Sequence, residues 1–284
     1  MPPLRFLRTA VALAVYVAAM SLSGCAKWVA DRTVLFPSTD PLPTYGAVEA
    51  KVQTPVGVVR VFQAGSPASI GREPERFVLH LMGNASRAEM AATAVAARWG
   101  TTAPVEAWAV NYPGYGQSDG PAAIDKLVPA VDAVYDKLAE RADGRPIYLD
   151  CDSLGTTLGL YLAATRRTDT PVVGLVLKNP PPLKRLILGR FGWWNLWLGA
   201  GPVARAIPAE IDSIANAKRA WAPALFVRAE RDSFVTPHYQ QRVVDAYAGR
   251  HRTIVLDDAD HNTAISADEE TAIREAIESF VISR

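Results

Sequence analysis

Three residues of this 284-residue chain have the types and the order that covalent catalysis by a serine requires. Ser153 follows the apolar run "RPIYLD" and opens a run typical of a helix, Asp232 follows "ALFVRAER", and His261 follows "RTIVLDDAD". A serine hydroxyl is a weak nucleophile at neutral pH, so it needs a histidine that accepts its proton, and that histidine needs an acidic group that orients it. The three residues are therefore candidates for a nucleophile, a base and an orienting acid.

Two of these residues have alternatives. A serine between a strand and a helix is commonly the N-cap of that helix, so the hydroxyl of Ser153 could have a structural role instead. Asp257, Asp258 and Asp260 lie just before the candidate base His261 and could replace Asp232 as the orienting acid. Three acids in one turn are more typical of a solvent-facing loop.

The other histidines have simpler interpretations. His80 alternates with leucines inside a strand pattern, which predicts a packed core residue. His238 lies at the start of a predicted helix and His251 lies between two arginines, so both are predicted at the surface. The only cysteines are Cys25 and Cys151, and no cysteine or histidine cluster has metal-ligand spacing. We therefore predict no disulfide framework, no metal site and no cofactor.

The segments that must position the candidate residues alternate between strand and helix patterns. The runs "EAKVQT" and "GVVRVFQA" predict an opening hairpin, and six later apolar runs of strand length are separated by helical patterns. Near-continuous apolar strands predict an α/β fold with a mostly parallel sheet and helices on both faces. Ser153, Asp232 and His261 all follow predicted strands, at the sheet edge where such folds bind ligands.

One segment interrupts the alternation, at about residues 180–222. It is rich in proline and glycine and contains Trp193, Trp194 and Trp197. We predict a small lid insertion over the carboxyl edge of the sheet, with these tryptophans as candidate substrate-pocket residues. Its aromatic side chains either fill the space above the sheet or, with the neighbouring basic residues, contact a membrane surface.

Five short motifs together resemble those of the α/β-hydrolase superfamily, in the branch of serine esterases, lipases and aminopeptidase-like hydrolases. "LMGNAS" resembles the family's "HGNAG" loop, "NYPGYGQSDG" its "YRGYGxSxG" loop, "CDSLG" its "GxSxG" elbow, "RAERDSFVTP" its "GxxDxxVP" acid loop, and "DADHN" its terminal "GxGHN". The resemblance covers nearly all of the chain after residue 25. It implies a triad of Ser153, Asp232 and His261, with an oxyanion hole from the backbone N–H groups of Asn84 and Leu154.

The chain departs from the family pattern at two positions. Met82 stands where the family has the histidine that opens the oxyanion loop, and Cys151 stands where the elbow has its first glycine. The resemblance implies a serine hydrolase that cleaves an ester, thioester or small amide through an acyl-enzyme, with a small-molecule acyl substrate. The two departures keep an alternative open, a non-catalytic envelope protein that uses the fold for binding or as a scaffold.

The N-terminus has the pattern of a bacterial lipoprotein signal. Arg5 and Arg8 precede an apolar run that is shorter than the roughly 20 residues a membrane-spanning helix needs. The run ends in "LSGC", which resembles the lipobox, so residues 1–24 are predicted to be a signal peptide and Cys25 the lipidated start of the 25–284 domain. An ordinary signal peptide or an uncleaved anchor is the alternative. Ala26 permits sorting to the outer membrane, and we expect the domain in the periplasm.

Composition restricts the partners further. The formal net charge is only +1, which gives no reason to expect a nucleic-acid partner. With 49% hydrophobic residues the chain suits one compact domain with a sizeable core. We expect a monomer that contacts the membrane through Cys25.

Overall fold

The computed structural model describes residues 26–168, 170–191 and 200–283. The strands are β1 (Val48–Thr54), β2 (Gly57–Gly65), β3 (Arg76–Leu81), β4 (Val105–Val110), β5 (Ile147–Asp152), β6 (Val172–Lys178), β7 (Ala224–Ala229) and β8 (His251–Leu256). They form an eight-stranded sheet in the order β1-β2-β4-β3-β5-β6-β7-β8. β1 and β2 form the predicted hairpin, β2 is antiparallel to β4, and the remaining neighbours are parallel.

Helices connect the parallel strands and cover both faces of the sheet. They are α1 (residues 26–34), α2 (Ala92–Trp99), α3 (Leu127–Ala142), α4 (Leu154–Thr165), α5 (Leu183–Phe191), α6 (Ala200–Ala206), α7 (Ser213–Ala217), α8 (Pro237–Ala246) and α9 (Ala267–Ala276). On one face Trp99 of α2 and Ile273 of α9 are buried, and on the other Val131 of α3, Leu158 of α4 and Val243 of α8 are buried. The predicted α/β fold, with a mostly parallel sheet between two helical layers, is confirmed.

Three helices begin later than their sequence patterns predict. The pattern for α3 begins at Ala122, but the helix begins at Leu127 after a 3₁₀ turn. The pattern from Ser86 to Trp99 suggests one helix, but α2 begins at Ala92 after a 3₁₀ turn. Arg87 before that turn is extended, with φ of −133°, and its guanidinium donates to the carbonyl of Asp40. The last helix begins at Ala267 rather than at residue 264, since Ser266 caps it and forms a capping box with Glu269.

The sheet order brings four loops together at its carboxyl edge. β3, β5, β6, β7 and β8 are consecutive and parallel, so their carboxyl ends lie side by side. Asn84 follows β3, Ser153 follows β5, Asp232 follows β7 and His261 follows β8. The sheet thus gathers the candidate residues at one edge.

The segment between β6 and β7 contains α5, α6 and α7. Side chains from all three helices are buried, among them Ile187, Ala204 and Ala217. Trp193, Trp194 and Trp197 lie outside the described residues, as do Cys25 and the apolar run before it. Within the described ranges, no helix is both long and apolar enough to cross a membrane.

A buried ionic cluster joins β5 to the helices on one face of the sheet. The carboxylate of Asp150 accepts hydrogen bonds from Trp99 Nε1 at 2.7 Å, from Arg98 Nη1 at 3.3 Å and from His80 Nδ1 at 3.3 Å. Arg98 also pairs with Glu270 of α9, at 2.9 Å. His80 is therefore a packed core residue, as its strand pattern predicts, and it supports the strand that leads to Ser153.

The charge of Arg98 determines the ionisation of Asp150. Burial alone would raise the pKa of the Asp150 carboxyl, but Arg98 and the hydrogen bonds from His80 and Trp99 outweigh burial and hold that pKa well below its usual range. A folded pKa below the unfolded value of about 3.9 means that this carboxylate stabilises the fold above that pH. Its contribution is lost as the pH falls from about 3.9 toward the folded pKa.

We expect Arg98→Met to lower the free energy of unfolding at pH 7 by about 3–5 kcal/mol, because it leaves the Asp150 carboxylate buried without its cation. Urea denaturation measures the change. The matched control is Arg72→Met, which breaks an exposed pair with Glu75 and should cost about 1 kcal/mol or less. The gap between wild type and Arg98→Met should narrow from pH 7 to pH 3, where Asp150 of the variant is protonated. Equal losses in the two variants would contradict this assignment.

Candidate active site

Ser153 lies in a strained turn between β5 and α4. Its φ of 45° and ψ of −112° are unusual for a residue with a Cβ. The turn is held by the Ser153 N–H, which donates to the carbonyl of Lys178 on β6 at 2.8 Å, and by the Ser153 carbonyl, which accepts from the N–H of Thr156 at 2.9 Å. A sharp turn from strand to helix projects the side chain of its central residue at the edge of the sheet.

Gly155 permits this turn because α4 passes almost in contact with the end of β3. A Cβ at Gly155 would lie 1.9 Å from the carbonyl oxygen of Leu81, far inside any tolerable contact. Only glycine fits at this position. A nucleophile elbow, which "CDSLG" resembles, needs a small residue two positions after its serine, and Gly155 meets that need.

Cys151, which replaces the first glycine of the motif, is accommodated by a second glycine on α4. The side chain of Cys151 is fully buried, and a Cβ at Gly159 would lie 2.4 Å from its sulfur. Because Gly159 has no side chain, it leaves room for the Cys151 sulfur, which a glycine at position 151 would not have needed. Burial raises the pKa of the Cys151 thiol well above its usual value, so the thiol remains neutral.

Ser153, His261 and Asp232 form a continuous hydrogen-bonded chain. His261 Nε2 lies 3.0 Å from Ser153 Oγ, and His261 Nδ1 lies 2.6 Å from Asp232 Oδ2. Because a carboxylate only accepts, Nδ1 carries the proton and Nε2 is free to accept from the serine hydroxyl. The Ser153 side chain makes no capping bond to α4, so the N-cap interpretation is wrong.

Asp232 is buried and saturated with donors. Its Oδ1 accepts from the N–H groups of Phe234 at 2.9 Å and Val235 at 2.7 Å, and its Oδ2 accepts from Gln240 Nε2 at 2.8 Å as well as from His261. Gln240 is itself buried, and its Oε1 has no hydrogen-bond partner among the described residues. The amide is therefore oriented with its donor, rather than its acceptor, toward the carboxylate.

The competing acids have other roles. Asp257 and Asp258 are exposed, and Asp258 pairs with Arg231. Asp260 contacts the main chain of His261 rather than its ring, accepting from the His261 N–H at 2.7 Å. Backbone hydrogen bonds from Ser233 and His261 lower the pKa of Asp260 below its usual value. Asp260 thus links the loops that hold Asp232 and His261.

Asn179 is a support that sequence reasoning missed. It lies directly after β6 in a left-handed conformation, with φ of 49°. Its Oδ1 accepts from the N–H of Ala229 at 2.8 Å, and its Nδ2 donates to the carbonyl of His261 at 3.3 Å. Asn179 therefore joins the ends of β6 and β7 to the His261 loop. The available signal was its position, a polar residue immediately after a buried strand.

The loop after β3, residues 82–87, is called the β3 loop here, and it lies against Ser153. A Cβ at Gly83 would lie 3.6 Å from the Ser153 Cβ. The N–H groups of Asn84 and Leu154 have no acceptor within the described part of the chain. Backbone N–H groups without acceptors are free to donate to an oxyanion formed at Ser153.

Two tyrosines from the "NYPGYG" segment brace the β3 loop. Tyr112 OH donates to the carbonyl of Met82 at 2.9 Å, and Tyr115 OH donates to Asn84 Oδ1 at 2.9 Å. The Met82 side chain is buried in the apolar core beneath the loop. Sequence reasoning matched this segment to a motif but gave neither tyrosine a role. The Asn84 side chain therefore takes part in holding the loop.

The rim of the site is apolar on the His261 side. The ring of Phe234 lies 5.3 Å from the His261 ring, centroid to centroid, and 45% of Phe234 is exposed. The Arg190 guanidinium of α5 lies over the ring of Phe234, 5.3 Å from its centroid, and Nη1 donates to the Phe234 carbonyl at 3.1 Å. Phe234 is thus placed to contact a ligand that reaches His261.

The other histidines and the polar residues of the "GYGQSDG" loop take no part in the hydrogen-bonded chain of Ser153, His261 and Asp232. His238 and His251 are exposed, as predicted. Ser118 and Asp119 hold the "GYGQSDG" loop to β2, by accepting from the N–H groups of Arg60 and Val58, both at 2.8 Å. In the described ranges, no group of three or more His, Cys, Asp or Glu residues could hold a metal ion.

Comparison with known proteins identifies the fold through solved structures. No family model matches the sequence, and a search of curated proteins found no match. The esterase Pf2001 of Pyrococcus furiosus superposes with a TM-score of 0.64 at 14% identity, over 86% of this chain and 97% of its own. Est1E from Butyrivibrio proteoclasticus, with ferulic acid bound, has a TM-score of 0.66 at 18% identity, over 82% and 100% of the two chains.

A third neighbour has a similar extent. XC6422 from Xanthomonas campestris, described as an α/β serine hydrolase without a lid, has a TM-score of 0.60 at 14% identity, over 88% of this chain and 99% of its own. At these identities the likeness establishes the architecture and leaves activity to the site itself.

We expect Gly159→Ala to lower the free energy of unfolding by about 1–3 kcal/mol, because the new Cβ would overlap the sulfur of Cys151. In a Cys151→Gly background the same change should be neutral or stabilising by up to about 1 kcal/mol, as alanine favours helices. The control is Gly201→Ala in α6, where the new Cβ meets nothing within 4 Å. Additive effects of the two changes in a double-mutant cycle would show that Gly159 does not compensate for Cys151.

Proposed function

We propose that this chain, which has the α/β-hydrolase fold, is a serine hydrolase that cleaves an ester through a covalent acyl-enzyme. The observation that supports this most directly is the hydrogen-bonded chain from Ser153 Oγ through His261 to Asp232, with links of 3.0 and 2.6 Å. Such a chain, beside two backbone donors without acceptors, has the parts that acyl transfer requires.

In the first half-reaction, Ser153 Oγ attacks the carbonyl carbon of the ester while His261 Nε2 removes the hydroxyl proton. Asp232 holds His261 in the required tautomer and stabilises the imidazolium that forms. The carbonyl oxygen becomes an oxyanion, which accepts from the N–H groups of Asn84 and Leu154. Collapse expels the alcohol, which takes the proton from His261, and leaves the acyl group on Ser153.

In the second half-reaction, water replaces the serine hydroxyl as the nucleophile. His261 accepts a proton from the water as it attacks the acyl carbon, and the same backbone N–H groups stabilise the second oxyanion. Collapse returns the proton to Ser153 Oγ and releases a carboxylic acid. Thioesters and small amides have the same carbonyl chemistry and are the other substrate classes for this site. The exposed ring of Phe234 beside His261 favours an apolar acyl or alcohol group.

The alternative, a non-catalytic binding or scaffold protein, rests on the substitutions at Met82 and Cys151. Both are accommodated without disturbing the triad. Gly159 makes room for Cys151, and Met82 packs in the core while its carbonyl accepts from Tyr112. Neither residue needs its family counterpart for the chemistry, since the oxyanion donors are main-chain groups.

We expect a fluorophosphonate probe to label the protein purified in detergent, and the label to be lost in Ser153→Ala. The reason is that the probe reacts with serines activated by a base, which Ser153 would be next to His261. The matched control is Ser118→Ala, which removes a buried serine hydroxyl outside the triad. Folded wild-type protein that takes up no label, with detergent present so that any lid is open, would instead favour the binding role.

We also propose that the domain is held on a bacterial envelope membrane by lipid on Cys25, with the outer membrane and a periplasmic location favoured. The support is the lipobox-like "LSGC" and the short distance from Cys25 to the folded domain. Ala30 and Val34 of α1 already pack in the core. Trp28 on α1 is 58% exposed, and the Arg32 guanidinium lies 4.5 Å from its ring, a pairing that suits a headgroup region.

We expect Cys25→Ser to abolish incorporation of labelled palmitate. The unlipidated protein should be either in the soluble fraction or a precursor that keeps its signal peptide. Cys151→Ala is the matched control, because it removes the other of the two cysteines and should leave the lipid in place. Metabolic labelling followed by immunoprecipitation measures the outcome. Equal labelling of wild type and Cys25→Ser would overturn the anchoring proposal and leave the proposed hydrolase activity unaffected.

A further inference from the structure

The chain between α1 and the sheet passes directly over the β3 loop. This segment, residues 35–40, is called the strap. The N–H of Phe36 donates to Asn84 Oδ1 at 2.8 Å. Arg87 Nη1 donates to the carbonyls of Ser38 at 3.2 Å and Asp40 at 2.8 Å. Three hydrogen bonds therefore join the strap to the loop that contains the Asn84 N–H.

The side-chain oxygen of Asn84 is the point where these contacts converge. It accepts from Phe36 N at 2.8 Å, Tyr115 OH at 2.9 Å and Ala85 N at 3.0 Å. The bond to Ala85 closes a local turn in which Ala85 has a φ of 63°. Phe36 and Tyr115 hold the same oxygen from outside the loop. Because Asn84 is only partly buried, these bonds orient it more than packing does.

The strap is itself firmly held, so it can act as a fixed support. Leu35 at its start and Val34 at the end of α1 are buried in the core. Asp31 of α1 accepts from the N–H of Ile124 at 2.8 Å, which attaches the preceding helix to the domain. Further along, the carbonyl of Ser38 accepts from the N–H of Gly116 at 2.8 Å.

Arg87 completes the connection from the loop side. Its guanidinium is buried and pairs with Glu89, whose other oxygen accepts from Asn111 Nδ2 at 2.9 Å. The ion pair neutralises the charge, and the two strap carbonyls occupy Nη1. Because Arg87 is buried and its Nη1 donates to both carbonyls, it holds the main chain of the strap against the β3 loop.

We infer that the strap is a positioning element of the oxyanion hole: the N–H of Phe36, acting through the Asn84 side chain, sets the direction of the Asn84 N–H. The inference rests on the proposed hydrolase function and concerns how well the site stabilises the oxyanion. Ground-state binding of the substrate does not depend on that N–H in the same degree, so the strap contributes to kcat rather than to KM.

The test compares Phe36→Pro with Phe36→Ala in the full-length protein. Both variants lack the ring, and only the proline variant lacks the N–H, so the ratio of their kcat values reports the loss of the hydrogen bond together with proline's restriction of the backbone at Leu35 and position 36. We expect kcat of Phe36→Pro to be about tenfold or more below that of Phe36→Ala, with KM values within about twofold. Loss of a whole oxyanion donor lowers kcat by about 10²–10³-fold, and misdirection of one donor should lower it by less. A trifluoromethyl ketone, whose adduct with Ser153 carries an oxyanion, should bind more weakly to Phe36→Pro by a similar factor.

Tyr115→Phe tests the same oxygen from the opposite side and does not alter the main chain. It should lower kcat and the affinity for the ketone together, again with little change in KM. A merely structural role for the strap would lower the melting temperature without this matched loss. Equal kcat and ketone affinity in folded Phe36→Pro and Phe36→Ala would overturn the inference while wild-type turnover upheld the hydrolase. Wild-type protein with neither turnover nor fluorophosphonate label would overturn both.

Discussion

The close crossing of α4 over the end of β3 is the constraint on which the site depends. At Gly155 the helix approaches the Leu81 carbonyl so closely that no side chain fits. The chain must therefore turn sharply between β5 and α4, and Ser153 takes a positive φ to make that turn. The same crossing places the β3 loop beside the serine. Ser153 and the β3 loop are neighbours because one helix packs this tightly on the sheet.

Around this crossing, orientation comes from saturated polar side chains rather than from packing alone. Asp232 accepts four hydrogen bonds, Asn84 accepts three on a single oxygen, and Asn179 joins two strand ends to the His261 loop. Loops have few apolar contacts, so amides and carboxylates with several fixed partners are an effective way to hold them. The ionic cluster at Asp150 does the same for the strand that leads into the turn.

Much of this arrangement could be predicted from the sequence. Apolar runs of strand length gave the parallel sheet, and the requirement that ligands meet the carboxyl ends of strands placed Ser153, Asp232 and His261 at one edge. Gly155 was predictable because a nucleophile turn needs a small residue there. These features follow from local pattern and from the geometry that all such sheets share.

The supports could not be predicted, because each depends on which side chains meet once the chain has folded. Gln240 reaches Asp232 only after α8 folds back on its loop, and Phe36 reaches Asn84 across 48 positions of sequence. The sequence could not show how Cys151 fits where the motif has a glycine, because the space for its side chain comes from Gly159 on α4. Hydrophobic periodicity also did not predict the exact helix starts. Ser266 caps α9, so this helix begins later than the periodicity suggests.

The buried thiol of Cys151 has a consequence for how the site can be observed. It lies two residues before Ser153, is buried, and has a pKa raised well above its usual value by burial. A thiol reagent can therefore reach it only when α4 separates from β5. The rate at which a thiol reagent modifies Cys151 in the folded protein therefore reports how often this region opens. The native cysteine serves as the probe.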